Sequence, residues 1–296
     1  MSVSLQRLRS ILDVPGGSDR KLRKALASAA DGLMVCLEDG VPEEDSAKRA
    51  ARDVVAAEVG PTTKTLIIRV NTVDSPWFED DVRLAVRLGF NGIVVPKMTT
   101  MAELRKASEL LDRLGAPPDL GIWAIVESPA FLLAIERAEQ VPPRLRALIA
   151  GLVDFMLQLT PRAFINPQGL DAPAVLERKA HIRMRILMAA RAASALAIDA
   201  ITIPAITDVA LAAADAARCR DAGFDATIVL HPAQIEPINA AFELSAAERE
   251  TARKILEAGR EAAAASRTSA IVDGRVVLPQ HVKAATHYLE IDGGRG

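Results

Sequence analysis

Short apolar runs recur along the chain, each closed by turn or polar residues and followed by a stretch with helical spacing. Residues 10–14 form the first run and end at Pro15-Gly16-Gly17; Ser18 or Asp19 then caps a helix to about Ala29, with Leu22, Leu26 and Ala29 on one face. Residues 32–37 (GLMVCL) predict a second strand that ends in Glu38-Asp39-Gly40, followed by a helix over 43–59. A third strand over 64–70 (KTLIIRV) places Arg69 and Asn71 at its end, and a helix over 77–88 follows. The fourth, over 91–95, ends in Pro96-Lys97 and leads to a helix over 99–114.

The stretch 121–159, GIWAIVESPAFLLAIERAEQVPPRLRALIAGLVDFMLQL, organises the rest. Its apolar runs over 122–126 and 148–152 are each followed by an acid, Glu127 and Asp154. Between them 129–138 reads as a helix with Pro129 at its first position. Two buried strands joined by a helix make a βαβ unit whose strands are parallel neighbours. Both carboxylates then leave the C-terminal edge of one sheet, where α/β folds keep their ligands. Two acids converging there suit a hard divalent cation such as Mg²⁺, which takes oxygen ligands and retains exchangeable waters. The same positions also suit helix-capping acids, since each precedes a helix-like segment.

A long helix over 171–195, strands over 197–203 and 226–230, and a helix over 208–222 complete the alternation. Eight such units in roughly 230 residues are what a (β/α)₈ TIM barrel requires. The absence of a G-x-G-x-x-G fingerprint disfavours an open doubly wound sheet. The expectation is an α/β TIM-barrel domain over 1–244. A tail over 245–296, with a helix at 247–265 and the extended segment TSAIVDGRVVLPQHV, then covers the barrel or reaches a neighbouring subunit.

Composition narrows the function. Half of the 296 residues are hydrophobic and the formal net charge is only −2, so no global field points to nucleic acid or an anionic membrane. Aromatics at 3% give few platforms for stacking bases. Cys36 and Cys219 lack partner spacing and read as free thiols in a reducing compartment. The start MSVSLQRLRSILDV has no apolar leader, and no apolar stretch is long enough to span a bilayer. A cytoplasmic protein with a small-molecule partner is expected.

Among strand-end residues, Arg69 stands out, because a guanidinium closing an apolar strand needs a partner and grips a carboxylate or carbonyl bidentately. An internal salt bridge to Glu38 or Asp39 is the plainer reading, and both can hold at once. Lys97 either senses substrate charge or is simply solvated, and His231 either anchors the barrel mouth or sits in a turn. The four histidines show no zinc spacing, and no G-x-S-x-G elbow supports a serine nucleophile.

Taken together, LRSILDVPGG, CLEDGVPEEDSAKRAA, LIIRVNTVDSPWFEDD, GIVVPK, AIVES, AGLVDF, AARAASALAIDAIT and GFDATIVLHPAQIEPINAAF resemble, in order, the landmarks of the citrate lyase beta subunit-like (CitE-like) family, within the HpcH/HpaI aldolase group. The resemblance spans nearly the whole chain. It implies a TIM barrel that assembles as a homotrimer or hexamer. It also implies Mg²⁺ and aldol- or Claisen-type carbon–carbon cleavage or condensation on citryl, malyl or citramalyl thioesters of CoA. By resemblance Glu127 and Asp154 are the Mg²⁺ ligands, Arg69 binds the substrate carboxylate or carbonyl, and Glu38 and Asp39 surround that arginine. Arg9 and Pro15-Gly16 match the family's first strand and turn, near where the thioester is received.

Two departures stand out. Asp13 precedes Val14 where the family commonly has Phe or a similar residue. The C-terminal signature, D-G-K/R-M-[IV]-D in the family, reads Asp273-Gly274-Arg275-Val276-Val277-Leu278 here, and Leu278 cannot move a proton. The leading expectation is a Mg²⁺-dependent lyase on a small β-hydroxy acid or its CoA thioester. The alternatives are a non-catalytic subunit that binds Mg²⁺ and a keto acid, or a malyl-type acyl-CoA thioesterase.

Overall fold

The computed structural model describes residues 8–166, 169, 173–200 and 208–293. Eight parallel strands close on themselves: β1 (Ser10–Pro15), β2 (Gly32–Cys36), β3 (Thr65–Arg69), β4 (Gly92–Val95), β5 (Gly121–Val126), β6 (Leu145–Ala150), β7 (Leu196–Ala200) and β8 (Ala226–Val229), with β8 pairing back to β1. Helices α1 (Asp19–Leu26), α2 (Asp45–Glu58), α3 (Phe78–Leu88), α4 (Met101–Arg113), α5 (Pro129–Glu136), α6 (Leu152–Leu159), α7 (Pro173–Ala192) and α8 (Val209–Ala222) follow the strands in turn, and α9 (Ile235–Ala241) comes after β8. This is the (β/α)₈ barrel that the alternation predicts.

The strands read as continuous apolar runs because both of their faces are buried. One face fills the barrel interior with Ile11, Met34, Ile67, Val94, Trp123, Ile125, Ala147, Ile149, Ile198 and Ile228. The other face meets helices whose ends are written locally. Ser18 caps α1, the Thr100–Glu103 box caps α4, and Asp208 caps α8. Gly92 has a packing cause: a Cβ there would lie 2.5 Å from the indole of Trp123, the largest side chain inside the barrel.

The structure corrects two boundaries. β6 begins at Leu145 and stops at Ala150, so Leu152 opens α6 instead of ending a strand. A partly exposed Arg146 is tolerated in β6 because its guanidinium turns to the Pro143 and Pro118 carbonyls, at 2.6 and 3.0 Å. The long helix begins at Pro173 and ends at Ala192. Residues 201–203 of the strand expected over 197–203, and residues 171–172, lie outside the described residues.

The chain divides into two compact units, Met1–Ala241 and Phe242–Gly296. The second holds α10 (Ala246–Ala264), an antiparallel hairpin of β9 (Ala270–Val272) and β10 (Arg275–Val277), and α11 (Pro279–Gly293). The hairpin and α11 were legible only as an extended, Gly-containing segment. Leu278 marks the start of α11: its N–H donates to His281 Nδ1 (3.0 Å) and its carbonyl accepts from the His281 N–H (2.9 Å). Asp273 pairs with Lys254 at 3.2 Å. Among the described residues, no helix is long and apolar enough to cross a membrane.

Replacing Gly92 with Ala forces the Trp123 indole to move in a filled interior. We expect a loss of about 1–3 kcal/mol, the usual cost of overpacking, in urea denaturation. Unchanged stability would show that the indole relaxes freely.

Candidate active site

The C-terminal ends of the barrel strands carry the polar groups. Glu127 follows β5 directly, Arg69 is the last residue of β3, Glu38 and Asp39 follow β2, Lys97 lies just past β4, and Asp154 sits in the first turn of α6. The helix-capping reading of the two acids does not hold. Ser128 caps α5, accepting from the Phe131 N–H at 3.0 Å, and α6 has no side-chain cap. Neither acid is spent on a helix end in that way.

Glu127 is buried, and its Oε1 accepts the backbone N–H of Lys97. Lys97 achieves this at φ +55°, in the left-handed region that non-glycine residues seldom adopt and that, when it occurs, clusters at functional sites. On its other flank Glu127 is pressed against Gly151, where a Cβ would stand 2.6 Å from the Glu127 Cβ and 3.3 Å from Oε2. Glycine is therefore required where β6 hands the chain to α6. Gln158 of α6 donates to the Glu127 carbonyl at 3.1 Å. Burial, reinforced by the charges of Asp154 and Glu38, pushes the Glu127 carboxyl up to about 7 against the opposing Lys97 N–H. Two carboxylates that repel each other, offering oxygen donors only, fit a hard divalent cation.

The guanidinium of Arg69 lies beside them. Its Nε and Nη2 donate to the Cys36 sulfur at 3.2 and 3.0 Å, and Nη1 stands 3.5 Å from Glu38 and 3.6 Å from Asp39. Burial pushes the Cys36 thiol up, so it serves Arg69 as a neutral acceptor. Lys97 Nζ pairs with Glu38 and, at 3.0 Å, with Asp39. Although burial opposes it, the Lys97 hydrogen bond and the Arg69 charge hold Asp39 below the usual carboxylate range. Glu38 thus sits between two cations, which answers the sequence-level choice at Arg69. The internal ion pair exists, and it aims the arginine. Lys97 is more than a solvated strand-end lysine.

A buried frame behind this rim escaped the sequence reading. Lys48 of α2, only 1% exposed, donates to the carbonyls of Leu37 (2.7 Å) and Glu38 (2.9 Å). Asn71 donates to the same Leu37 carbonyl (3.1 Å) and to Asp81 (2.6 Å), and Arg52 completes Asp81 at 2.9 Å. The signal was present only as polar residues on the inner faces of α2 and α3, among charges that look solvated. Asp13, inward on β1, was noted only as a departure from the family pattern.

Arg9 is placed elsewhere. It precedes β1, at the end of the barrel away from Glu127, and forms a bidentate pair with Asp31 at 2.7 and 2.8 Å that ties β1 to the start of β2. The sequence cannot show this, because Asp31 and Arg9 meet only when the strands pair. Pro15 and Gly16 do lie at the rim end of β1, with the Gly16 N–H on the Cys36 carbonyl at 2.8 Å. His231 sits in a turn, its Nδ1 accepting from the Ala233 N–H at 3.2 Å. A tight group of Asp199, Asp215 and Cys219 has ligand-like spacing, but Arg183 occupies both carboxylates at 2.9 and 3.0 Å. It is a buried ion-pair network.

Acids and an arginine gathered at the C-terminal rim of a (β/α)₈ barrel are the layout of an enzyme site. The HpcH/HpaI aldolase/citrate lyase family model matches residues 9–232, and the chain belongs to that family. The chain is 32% identical to a (3S)-malyl-CoA thioesterase of Cereibacter sphaeroides, over 95% of this chain and 93% of that one. It is 29% identical to the citrate lyase subunit beta of Escherichia coli, with 94% of each covered. The solved structure of CitE from Mycobacterium tuberculosis, in complex with magnesium, acetoacetate and coenzyme A, matches with a TM-score of 0.77 and 25% identity. That match covers 98% of this chain and all of that one.

Lys48→Met should destabilise the protein by about 1.5–3 kcal/mol in urea denaturation, the usual range for hydrogen bonds made by a charged group. A variant as stable as the wild type would show that water replaces the ammonium.

Proposed function

We propose that this protein is a Mg²⁺-dependent carbon–carbon lyase acting on a small β-hydroxy acid or its CoA thioester. The observation that carries this reading is the buried Glu127, repelled by Asp154 and flanked by Arg69 on the same rim. Glu127 and Asp154 hold the cation, and Gly151 and the Lys97 N–H fix the Glu127 carboxylate for it. A bound Mg²⁺ supplies Lewis-acid polarisation of the reacting carbonyl. Arg69 binds the substrate carboxylate or carbonyl and, being fixed by Cys36, Glu38 and Asp39 beforehand, meets developing enolate charge without reorganising. Lys97 pairs with Glu38 and Asp39 and holds them around that arginine. The magnesium and coenzyme A of the M. tuberculosis complex support this assignment. Assembly as a homotrimer or hexamer and a cytoplasmic setting rest on the family resemblance and, for the latter, on the two buried free thiols.

The 32% identity to malyl-CoA thioesterases favours one second reading, hydrolysis of a malyl-type thioester. Leu278 at the position of the family's C-terminal acid favours another, a non-catalytic subunit that keeps the Mg²⁺ and keto-acid pocket.

The test is turnover of citramalyl-, malyl- and citryl-CoA and their free acids, with and without Mg²⁺, with products identified by mass. A keto acid plus acyl-CoA, formed only with Mg²⁺, is the expected result. Glu127→Ala should lose ~100-fold or more in turnover, on the scale of removing a preorganised charge-stabilising group. Metal-independent cleavage, or an active Glu127→Ala, would sink the reading. Free thiol without carbon–carbon cleavage would establish the thioesterase instead.

A further inference from the structure

The inward positions of β1 alternate, as in any strand. Ile11 lines the barrel interior with Met34, and Asp13, in register with Met34, is the next inward position towards the rim. Asp13 Oδ1 is buried with no hydrogen-bond partner. The charged and titratable groups facing it are Arg69 of β3 and Glu38, Asp39 and Cys36 at the end of β2. In a ring of eight strands β1 stands opposite β5, which carries Glu127. Arg69 and Glu38 act on both Asp13 and Glu127, so the space beside Arg69 is shared by the two carboxyls.

Cleavage of a β-hydroxy acid requires a base for the hydroxyl proton and an acid for the carbanion carbon. The other rim carboxylates are committed to cations: the two Glu38 oxygens, which like Asp13 Oδ1 lack a hydrogen-bond partner, stand in ion pairs with Arg69 and Lys97, Asp39 pairs with both, and on the lyase reading Glu127 and Asp154 hold the metal. Leu278 carries no proton. An uncommitted carboxyl oxygen in a partly dry site is what remains, and burial raises its affinity for a proton.

Resting on the lyase reading above, we propose that Asp13 is the proton-transferring catalytic residue. In the cleavage direction its carboxylate takes the β-hydroxyl proton. The oxygen's bonding pair becomes the new carbonyl as the carbon–carbon bond breaks, and the pair from that bond becomes the enolate beside Arg69. Asp13 then returns the proton to the enolate carbon. The step is redox-neutral, needs no co-reactant and leaves Asp13 as it began.

Methyl-proton exchange of acetyl-CoA and of pyruvate, followed by NMR in D₂O with Mg²⁺, isolates this proton transfer from bond cleavage. The wild type should exchange one of the two. Asp13→Asn should lower that rate ~100-fold or more, the usual size of a general acid–base contribution, with Mg²⁺ and pyruvate binding by calorimetry unchanged. Asp13→Ser serves the same purpose if the amide disturbs folding. Exchange at the wild-type rate in both variants would overturn the proposal, as would a wild type that binds Mg²⁺ and both probes but exchanges neither. The thioester panel keeps the two readings apart. Cleavage undiminished in Asp13→Asn removes Asp13 alone, whereas no cleavage by the wild type removes the lyase.

Discussion

Too many carboxylates for the cations present is the constraint on which this rim depends. Asp13, Glu38, Asp39, Glu127 and Asp154 converge on a rim where Arg69 and Lys97 form the ion pairs and Lys48 adds its charge near Glu38 from behind. The parallel barrel imposes the convergence, because every strand delivers its C-terminal residue to the same end. Around Glu38 the balance is local, with Arg69 on one side and Lys97 on the other. At Glu127 it is not. That carboxyl is buried beside a like charge and becomes hard to ionise. On the proposed reading a divalent cation would remove the imbalance, and the repulsion between the two acids would favour its binding.

The surroundings hold that imbalance in place. Lys97 bends into the left-handed region to give Glu127 its N–H, and Gly151 yields the space of a side chain. Deeper down, Lys48 and the Asn71–Asp81–Arg52 group anchor the backbone after β2 through the Leu37 and Glu38 carbonyls. In the proposed function this support would let Arg69 meet developing charge without first moving. The Asp199–Asp215–Arg183 cluster shows the contrasting case, in which Arg183 bridges both acids and Arg218 adds a second cation to Asp215 at 3.1 Å.

Much of this was legible in the sequence, for identifiable reasons. Strands buried on both faces announce themselves as apolar runs, and the residue closing each run marks the rim. Glu127, Arg69, Glu38 and Asp39 were found in that way. Asp154 was found for a partly mistaken reason, since the run before it is β6, then Gly151, then the first turn of a helix. Contacts between distant segments stayed hidden. Arg9 pairs with Asp31, Cys36 with Arg69, and Lys48 with the chain after β2 only once strand register and helix docking exist. Asp13 showed the limit most clearly. Its identity was visible as a departure, but its unpartnered oxygen is a property of the closed barrel.

The central claim is that Glu127 and Asp154 together hold a divalent cation, and calorimetric titration of Mg²⁺ tests it most directly. We expect one Mg²⁺ site in the wild type, abolished in the Glu127→Gln/Asp154→Asn double variant, with the circular dichroism spectrum of the two proteins unchanged. Mg²⁺ binding of equal strength in that folded double variant would place the metal elsewhere and contradict the account.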